Sequence, residues 1–218
     1  MSRVARRLPL PLLLLAARLA TAATPAPPLA VRGDTVHTMA GPAIRDGVVL
    51  LENGKVKAVG PAADVRIPPG VPVLRGAVVT PGLIDAHTVV GLTGFLNQAQ
   101  DQDQLDEGEP VQPELRAVDS YNPRERLVEW IRGFGITTIH TGHAPGALVS
   151  GQTMVVKTVG ETVEEAALVP TAMVAVTLGD DARPDDDKKS PGTRSKAVAM
   201  LRGELVKAGE YARKRGLA

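Results

Sequence analysis

The sequence predicts an α/β protein in which a β-rich start is followed by alternating strands and helices. Up to about residue 79, turn signals separate short apolar segments at the spacing of about 8–12 residues that is typical of a small sheet or sandwich. After Pro81, segments with strand character alternate with segments of helical periodicity. Such alternation is typical of parallel strands joined by right-handed crossovers.

The β-rich part contains four predicted short strands, over residues 29–37, 47–52, 55–60 and 71–74. Asn53-Gly54, between the second and third strands, is the strongest hairpin signal in the chain because both residues tolerate the positive φ of a two-residue turn. We therefore assign residues 29–78 to part of a small, composite, sandwich-like β domain.

The remainder, residues 79–218, contains predicted strands near residues 79, 136, 153 and 172 and predicted helices over 123–134 and 195–215. In the first of these helices, apolar residues recur at helical spacing. The alternation with helices leads us to expect that all four strands are parallel.

Composition limits the ligands that a metal site in this chain could use and the kind of partner that the chain could bind. The chain has 218 residues, no Cys and four His, so disulfides and thiolate ligands are excluded and a transition metal would need His, Asp, Glu or a modified Lys. Residues 1–22 hold four of the 25 basic residues and none of the 24 acidic ones, so the remainder carries a net charge of −3. That balance argues against a nucleic-acid partner.

The first 22 residues predict a secretory signal peptide. Three arginines precede an apolar segment at 8–17, and Ala20-Thr21-Ala22 offers a cleavage site. As a helix the apolar segment would span about 15 Å, half of a bilayer core, so no stable membrane anchor is expected. Residues 23–28 follow as a linker, and the predicted location is periplasmic or secreted. A leader without an export role is the alternative.

The most informative segment is PGLIDAHTV, residues 81–89. Asp85 and His87 are two residues apart, so on a strand both side chains leave the same face. The carboxyl end of a barrel strand is where metal ligands and catalytic groups usually lie.

This segment resembles the first barrel strand of the amidohydrolase superfamily, whose pattern is PG-[LF]-I-D-x-H-x-H. The hairpin ENGKVKAVG (52–60) and the segments GITTIHTGHAPGALVSGQTMVVKT (135–158) and SPGTRSKAVAMLRGELVKAGEYARK (190–214) are similar to an imidazolonepropionase-like secreted subgroup. The resemblance implies a small β-sandwich-like domain followed by the first half of a (β/α)8 TIM barrel. It also implies metal-dependent hydrolysis of a C–N bond in a small molecule, a divalent metal such as zinc, and a protein compatible with homo-oligomers.

The resemblance makes His87 a metal ligand, whereas the second histidine of the family pair is replaced by Val89, which cannot donate to a metal. Asp85 would support the site, or cap the following loop. His140 and His143, at the end of the second strand, are candidates for substrate contact or for a replacement ligand, or are polar loop residues.

Lys157 corresponds in type and general place to a carbamylated lysine that bridges two metals in some members of the family, and a solvated lysine is the alternative. A general base is expected beyond residue 218, and the 218-residue chain alone is expected to be inactive. A non-catalytic binding protein that has lost its metal site is the alternative function, and Val89 favours it.

Overall fold

The computed structural model describes residues 26–182 and 191–216. The predicted signal peptide, residues 1–22, and the first part of the predicted linker lie outside the described residues. The chain divides into two compact units, Met1–Pro81 and Gly82–Ala218, whereas the sequence predicts the boundary between residues 78 and 79.

The first unit contains a four-stranded sheet in the order β3-β2-β1-β4. β1 pairs with β2 and β2 with β3 in antiparallel orientation, and β1 pairs with β4 in parallel. The strands are β1 (Leu29–Val36), β2 (Ile44–Glu52), β3 (Lys55–Pro61) and β4 (Val73–Val79).

The predicted hairpin is confirmed. Asn53 and Gly54 connect β2 to β3 with φ values of 54° and 71°. One face of the sheet buries Ala30, Val48 and Leu50 beneath the segment that joins β3 to β4. Residues 26–81 form this one sheet, and the predicted composite sandwich stays a prediction.

The second unit contains a mixed sheet in the order β5-β6-β8-β9 and a two-stranded sheet of β7 and β10. The strands are β5 (Leu83–Thr88), β6 (Ile136–Thr141), β7 (Val149–Gln152), β8 (Met154–Lys157), β9 (Ala167–Val169) and β10 (Val174–Val176). The predicted strand around residue 153 is confirmed as β8, and β7 precedes it on the other side of Thr153.

The expectation of four parallel strands is wrong for the later ones. β5 and β6 pair in parallel, but β8 is antiparallel to β6 and β9 to β8, and β10 is antiparallel to β7. A parallel return needs a crossover of about a dozen residues or more, usually a helix. Residues 142–153, between β6 and β8, contain no helix, so the chain reverses direction instead.

Four α-helices lie in the described part of the second unit, namely α1 (Ala117–Ser120), α2 (Arg126–Gly133), α3 (Val163–Ala166) and α4 (Arg194–Arg215). The two predicted helices are confirmed as α2 and α4. Thr193 caps α4 by accepting a hydrogen bond from the Lys196 backbone, and Gly216 ends it at a φ of 65°. None of the described helices is both long and apolar enough to cross a bilayer.

The core of the second unit lies between α2 and the sheet. Val128 and Ile131 of α2 pack in one cluster with Ile139 of β6 and with Met154 and Val156 of β8. This packing fixes β6 in the centre of the sheet. Because β5 runs parallel to β6, the carboxyl ends of the two strands lie side by side.

Candidate functional site

Two histidines meet at the carboxyl ends of β5 and β6. Thr88 pairs with Thr141 at this edge of the sheet, which brings His87 beside His140. The ring centroids are 6.5 Å apart and the ring planes are perpendicular. His87 is exposed, and its ring makes no hydrogen bond to any residue within 26–182 or 191–216, so its nitrogens are open to a ligand.

Asp85 acts on the backbone of the same strand end. Its Oδ1 accepts a hydrogen bond from the N–H of His87 at 3.2 Å. This hydrogen bond holds the backbone of His87, and the Asp85 carboxylate does not contact the imidazole. The two roles that the sequence predicts for Asp85, supporting the site and capping the following loop, stay predictions.

His140 has both ring nitrogens engaged. Nδ1 lies 2.9 Å from the carbonyl oxygen of Ala86, and Nε2 lies 2.7 Å from Oγ1 of Thr153. A carbonyl oxygen only accepts, so Nδ1 carries a hydrogen. In the neutral ring, Nε2 then accepts a hydrogen bond from the Thr153 hydroxyl. A replacement-ligand role for His140 would need one of these bonds to break.

His143 lies in the loop after β6 and is buried, with 5% of its surface exposed. Neither ring nitrogen has a hydrogen-bond partner among the described residues. Burial lowers the pKa of His143 below its usual value, and the neighbouring backbones of Leu115 and Gln104 partly offset this. The ring is therefore neutral at pH 7 and closed to solvent, which does not fit a substrate contact.

Gly151 makes the burial of His143 feasible. It has a φ of 133°, and a methyl group in place of its hydrogen would lie 2.6 Å from Cδ2 and Nε2 of His143. The glycine thus serves both the backbone conformation of β7 and the close approach of the imidazole.

Lys157 is not brought to the histidines. β8 runs antiparallel to β6, so Lys157 pairs with Thr138 while Met154 pairs with Thr141. The carboxyl end of β8 therefore lies toward the start of β6, opposite to His140. Lys157 is exposed there, as expected of a solvated lysine.

The residues present do not make a complete metal centre. No group of three or more His, Cys, Asp or Glu side chains suited to a metal occurs in the part of the chain that the structure describes. Catalytic zinc sites usually have three protein ligands. At this edge Val89 offers none and the His140 nitrogens are already bonded, which leaves His87.

The sequence did not predict the contact of Thr153 with His140 or that of Gly151 with His143. Thr153 and Gly151 lie within or beside a predicted strand, where threonine and glycine carry no specific signal of their own. Their roles depend on His140 and His143, which precede them by a loop that reverses the chain.

Comparisons with known proteins show which solved structures the fold resembles. No protein-family model matches the sequence, and no curated protein matches it. Among solved structures, the amidohydrolase from Thermotoga maritima MSB8 has a TM-score of 0.78 and 26% identity, over 87% of this chain and 50% of that chain. The chain thus spans about half the length of that protein.

Two further structures are similar over short segments only. They are the A. niger ochratoxinase (TM-score 0.27, 22% identity, 32% of this chain and 16% of that chain) and a putative prolidase from Bifidobacterium longum (TM-score 0.27, 30% identity, 31% and 17%). Of these three structures, the one from Thermotoga bears on the fold, and by that likeness the chain has a mixed α/β, amidohydrolase-like fold.

Proposed function

We propose that the chain forms part of an amidohydrolase-type hydrolase that cleaves a C–N bond, such as a cyclic or peptide-like amide, in a small molecule. The observation that carries the proposal is the adjacency of His87 and His140 at the carboxyl ends of a parallel strand pair, which is where barrel enzymes hold their reacting groups. The likeness to the Thermotoga amidohydrolase supports it. In this proposal the parallel strands β5 and β6 are the first two strands of a (β/α)8 TIM barrel, and β8, which is antiparallel to β6 on its other edge, departs from the barrel pattern.

His87 donates one ligand to a divalent metal in this proposal, with zinc as the candidate ion. Its imidazole is exposed and makes no hydrogen bond to the described residues, which supports that role, since a neutral ring nitrogen is a good zinc ligand. The described residues supply too few free donors for a complete site, so the remaining ligands would come from outside them. Asp85 and His140 act on the backbone around His87, and we derive no catalytic step from so partial a site.

The proposed location of the reaction, outside the cytoplasm, rests on the N-terminal sequence. The basic n-region, apolar segment and A-x-A site support export to the periplasm or the exterior. The net charge of −3 beyond residue 22 supports a small-molecule substrate over a nucleic acid.

A second candidate is a binding protein that keeps the fold without a metal. Val89 in place of a ligand and the engagement of both His140 nitrogens favour it. In this case the strand ends would bind an amide without hydrolysing it, and His87 would contact the ligand directly.

The test measures zinc content and amide hydrolysis in the protein purified from its source, with and without His87→Ala. We expect bound metal, hydrolysis of at least one member of a panel of dipeptides, N-acyl amino acids and cyclic amides, and a loss of roughly a hundredfold or more in the variant, since even residues that only orient a ligand cost 10–100-fold. The 218-residue chain by itself should bind zinc weakly and hydrolyse none of the panel.

His37→Ala is the matched control, because His37 lies in the first unit and should leave metal content and hydrolysis unchanged. Full metal content in His87→Ala would refute the ligand role. Absence of both metal and hydrolysis, combined with amide binding, would favour the binding protein. Val89→His should raise zinc affinity if position 89 faces the same site.

A further inference from the structure

Thr153 lies at the junction of two strands and is held there by the backbone. Gln152 ends β7 and Met154 begins β8. The Thr153 N–H donates to the carbonyl of Met173 at 2.8 Å, and its carbonyl accepts from the N–H of Ala172 at 2.8 Å. The residue is 4% exposed, so the direction of its side chain is fixed by these neighbours.

The hydroxyl of Thr153 has two acceptors within reach, and the distances decide between them. Oγ1 lies 2.7 Å from Nε2 of His140 and 3.4 Å from the carbonyl oxygen of Met173. A hydroxyl has a single hydrogen, and hydroxyl hydrogen bonds are usually about 2.7–2.8 Å long. The hydrogen therefore points at His140, which agrees with a neutral ring that has its hydrogen on Nδ1.

Gly142 provides the space for this contact. A methyl group at position 142 would lie 2.5 Å from Cγ2 and 2.8 Å from Cβ of Thr153. Distances this short do not occur between real side chains, so any larger residue at 142 would displace Thr153 from His140. Gly142 thus leaves the room that the Thr153 side chain needs to reach His140.

We propose that Thr153 is a positioning residue: its hydroxyl sets the tautomer of His140 and, through Nδ1–H, holds the carbonyl of Ala86. Ala86 lies directly between Asp85 and His87, so the two hydrogen bonds connect the β7–β8 junction across the end of β6 to the end of β5. The tautomer assignment stands on geometry alone. The effect on hydrolysis rests on the proposed function.

The experiment compares Thr153→Val, which keeps the shape and removes the hydroxyl, with Thr153→Ser, which keeps the hydroxyl. Long-range ¹H–¹⁵N NMR spectra of the histidine-labelled 218-residue chain, at a pH where imidazoles are neutral, report which nitrogen carries the hydrogen, and His140→Gln assigns the signals. We expect the Nδ1–H form in the parent and in Thr153→Ser. In Thr153→Val the ratio of tautomers should move toward Nε2–H by about tenfold, the effect of one hydrogen bond.

An unchanged tautomer ratio in Thr153→Val would overturn the proposal, because Ala86 would then be sufficient to fix the ring. A change in Thr153→Ser as large as in Thr153→Val would also overturn it, since packing and not the hydroxyl would be responsible. Thr153→Ala replaces Thr153→Val if the latter does not fold. If the tautomer shifts as expected but no form of the protein hydrolyses an amide, the positioning role stands and the proposed function fails.

Discussion

Two groups of polar side chains, one in each unit, lie in different environments. In the first unit, Arg32 donates two hydrogen bonds to Asp46, at 2.7 Å each, on the exposed side of the sheet. In the second unit, Thr153 and His143 are almost completely buried, and His140 is bonded on both nitrogens. Water can replace either partner of the exposed pair, but it does not reach the buried side chains of Thr153 and His143.

The physical basis is the cost of an unmet hydrogen bond. An exposed ion pair is worth little, since water solvates either partner when the other is removed. A buried polar group that loses its partner costs about 1–3 kcal/mol. Substitutions around the β6 end should therefore have larger effects than substitutions on the first sheet, although both regions contain polar contacts of similar length.

The largest effect is expected for Gly151→Ala. The new methyl group would meet His143 at 2.6 Å and the carbonyl oxygen of Leu115 at 2.7 Å, at a φ of 133° that an alanine rarely adopts. Strain and overpacking together should cost about 2–5 kcal/mol. Urea unfolding followed by fluorescence of Trp130, which lies in the second unit and is the only Trp in the chain, measures the loss.

Gly209→Ala is the matched control for that experiment. Gly209 lies within α4 with open space around it, so alanine should stabilise the helix by about 1 kcal/mol. Equal unfolding midpoints for the two variants would show that the Gly151 position relaxes easily and would remove the contrast between the units.

A smaller loss of stability in the second unit is expected when the pH is lowered. Burial lowers the pKa of folded His143 below that of the unfolded chain, so the unfolded chain binds the proton first. The contribution of neutral His143 to the free energy of unfolding is therefore fully present above the usual histidine pKa of about 6.5. It declines as the pH falls through that value toward the lowered pKa of the folded protein. Unfolding midpoints by Trp130 fluorescence between pH 8 and pH 5 measure the decline.

His143→Gln should flatten this part of the pH profile, because the replacement does not titrate. His87→Gln should leave the decline in place, since His87 is exposed. A decline of the same size in His143→Gln would assign it to another group and would contradict the prediction.

The same contrast explains how much of the molecule could be predicted from its sequence. The hairpin at Asn53-Gly54 and helices α2 and α4 depend on local rules of turn chemistry and periodicity, and they were predicted. The segment at 81–89 also identified the strand end with His87, because the motif lies within one strand.

What could not be predicted depends on contacts between distant residues. The direction of β8 follows from the loop after β6, which turns back without a helix, and no local pattern marks that reversal. The contact between His140 and Thr153 joins residues 13 apart, and the fit of Gly151 against His143 requires both to be in place. Lys157 was considered for the site because parallel strands were expected.

The smallest effect is expected for Asp46→Asn in the first unit. Asp46 has a φ of 45°, a conformation that asparagine tolerates well, so the change removes the charge without adding strain. The hydrogen bond from Arg32 is the main cause that lowers the pKa of Asp46, so its contribution is present above the usual carboxyl pKa and is lost as the pH falls through the lowered value. The backbone amide signals of β1, followed by NMR during urea unfolding, should show a slight fall in stability at low salt that disappears in 1 M salt, where screening acts within roughly 3 Å. Asp64→Asn, which changes an exposed carboxylate elsewhere in the first unit, is the control for a general change of charge. A fall that persists at 1 M salt, or one that approaches the effect of Gly151→Ala, would mean that the pair is structurally required and would break the contrast between the two units.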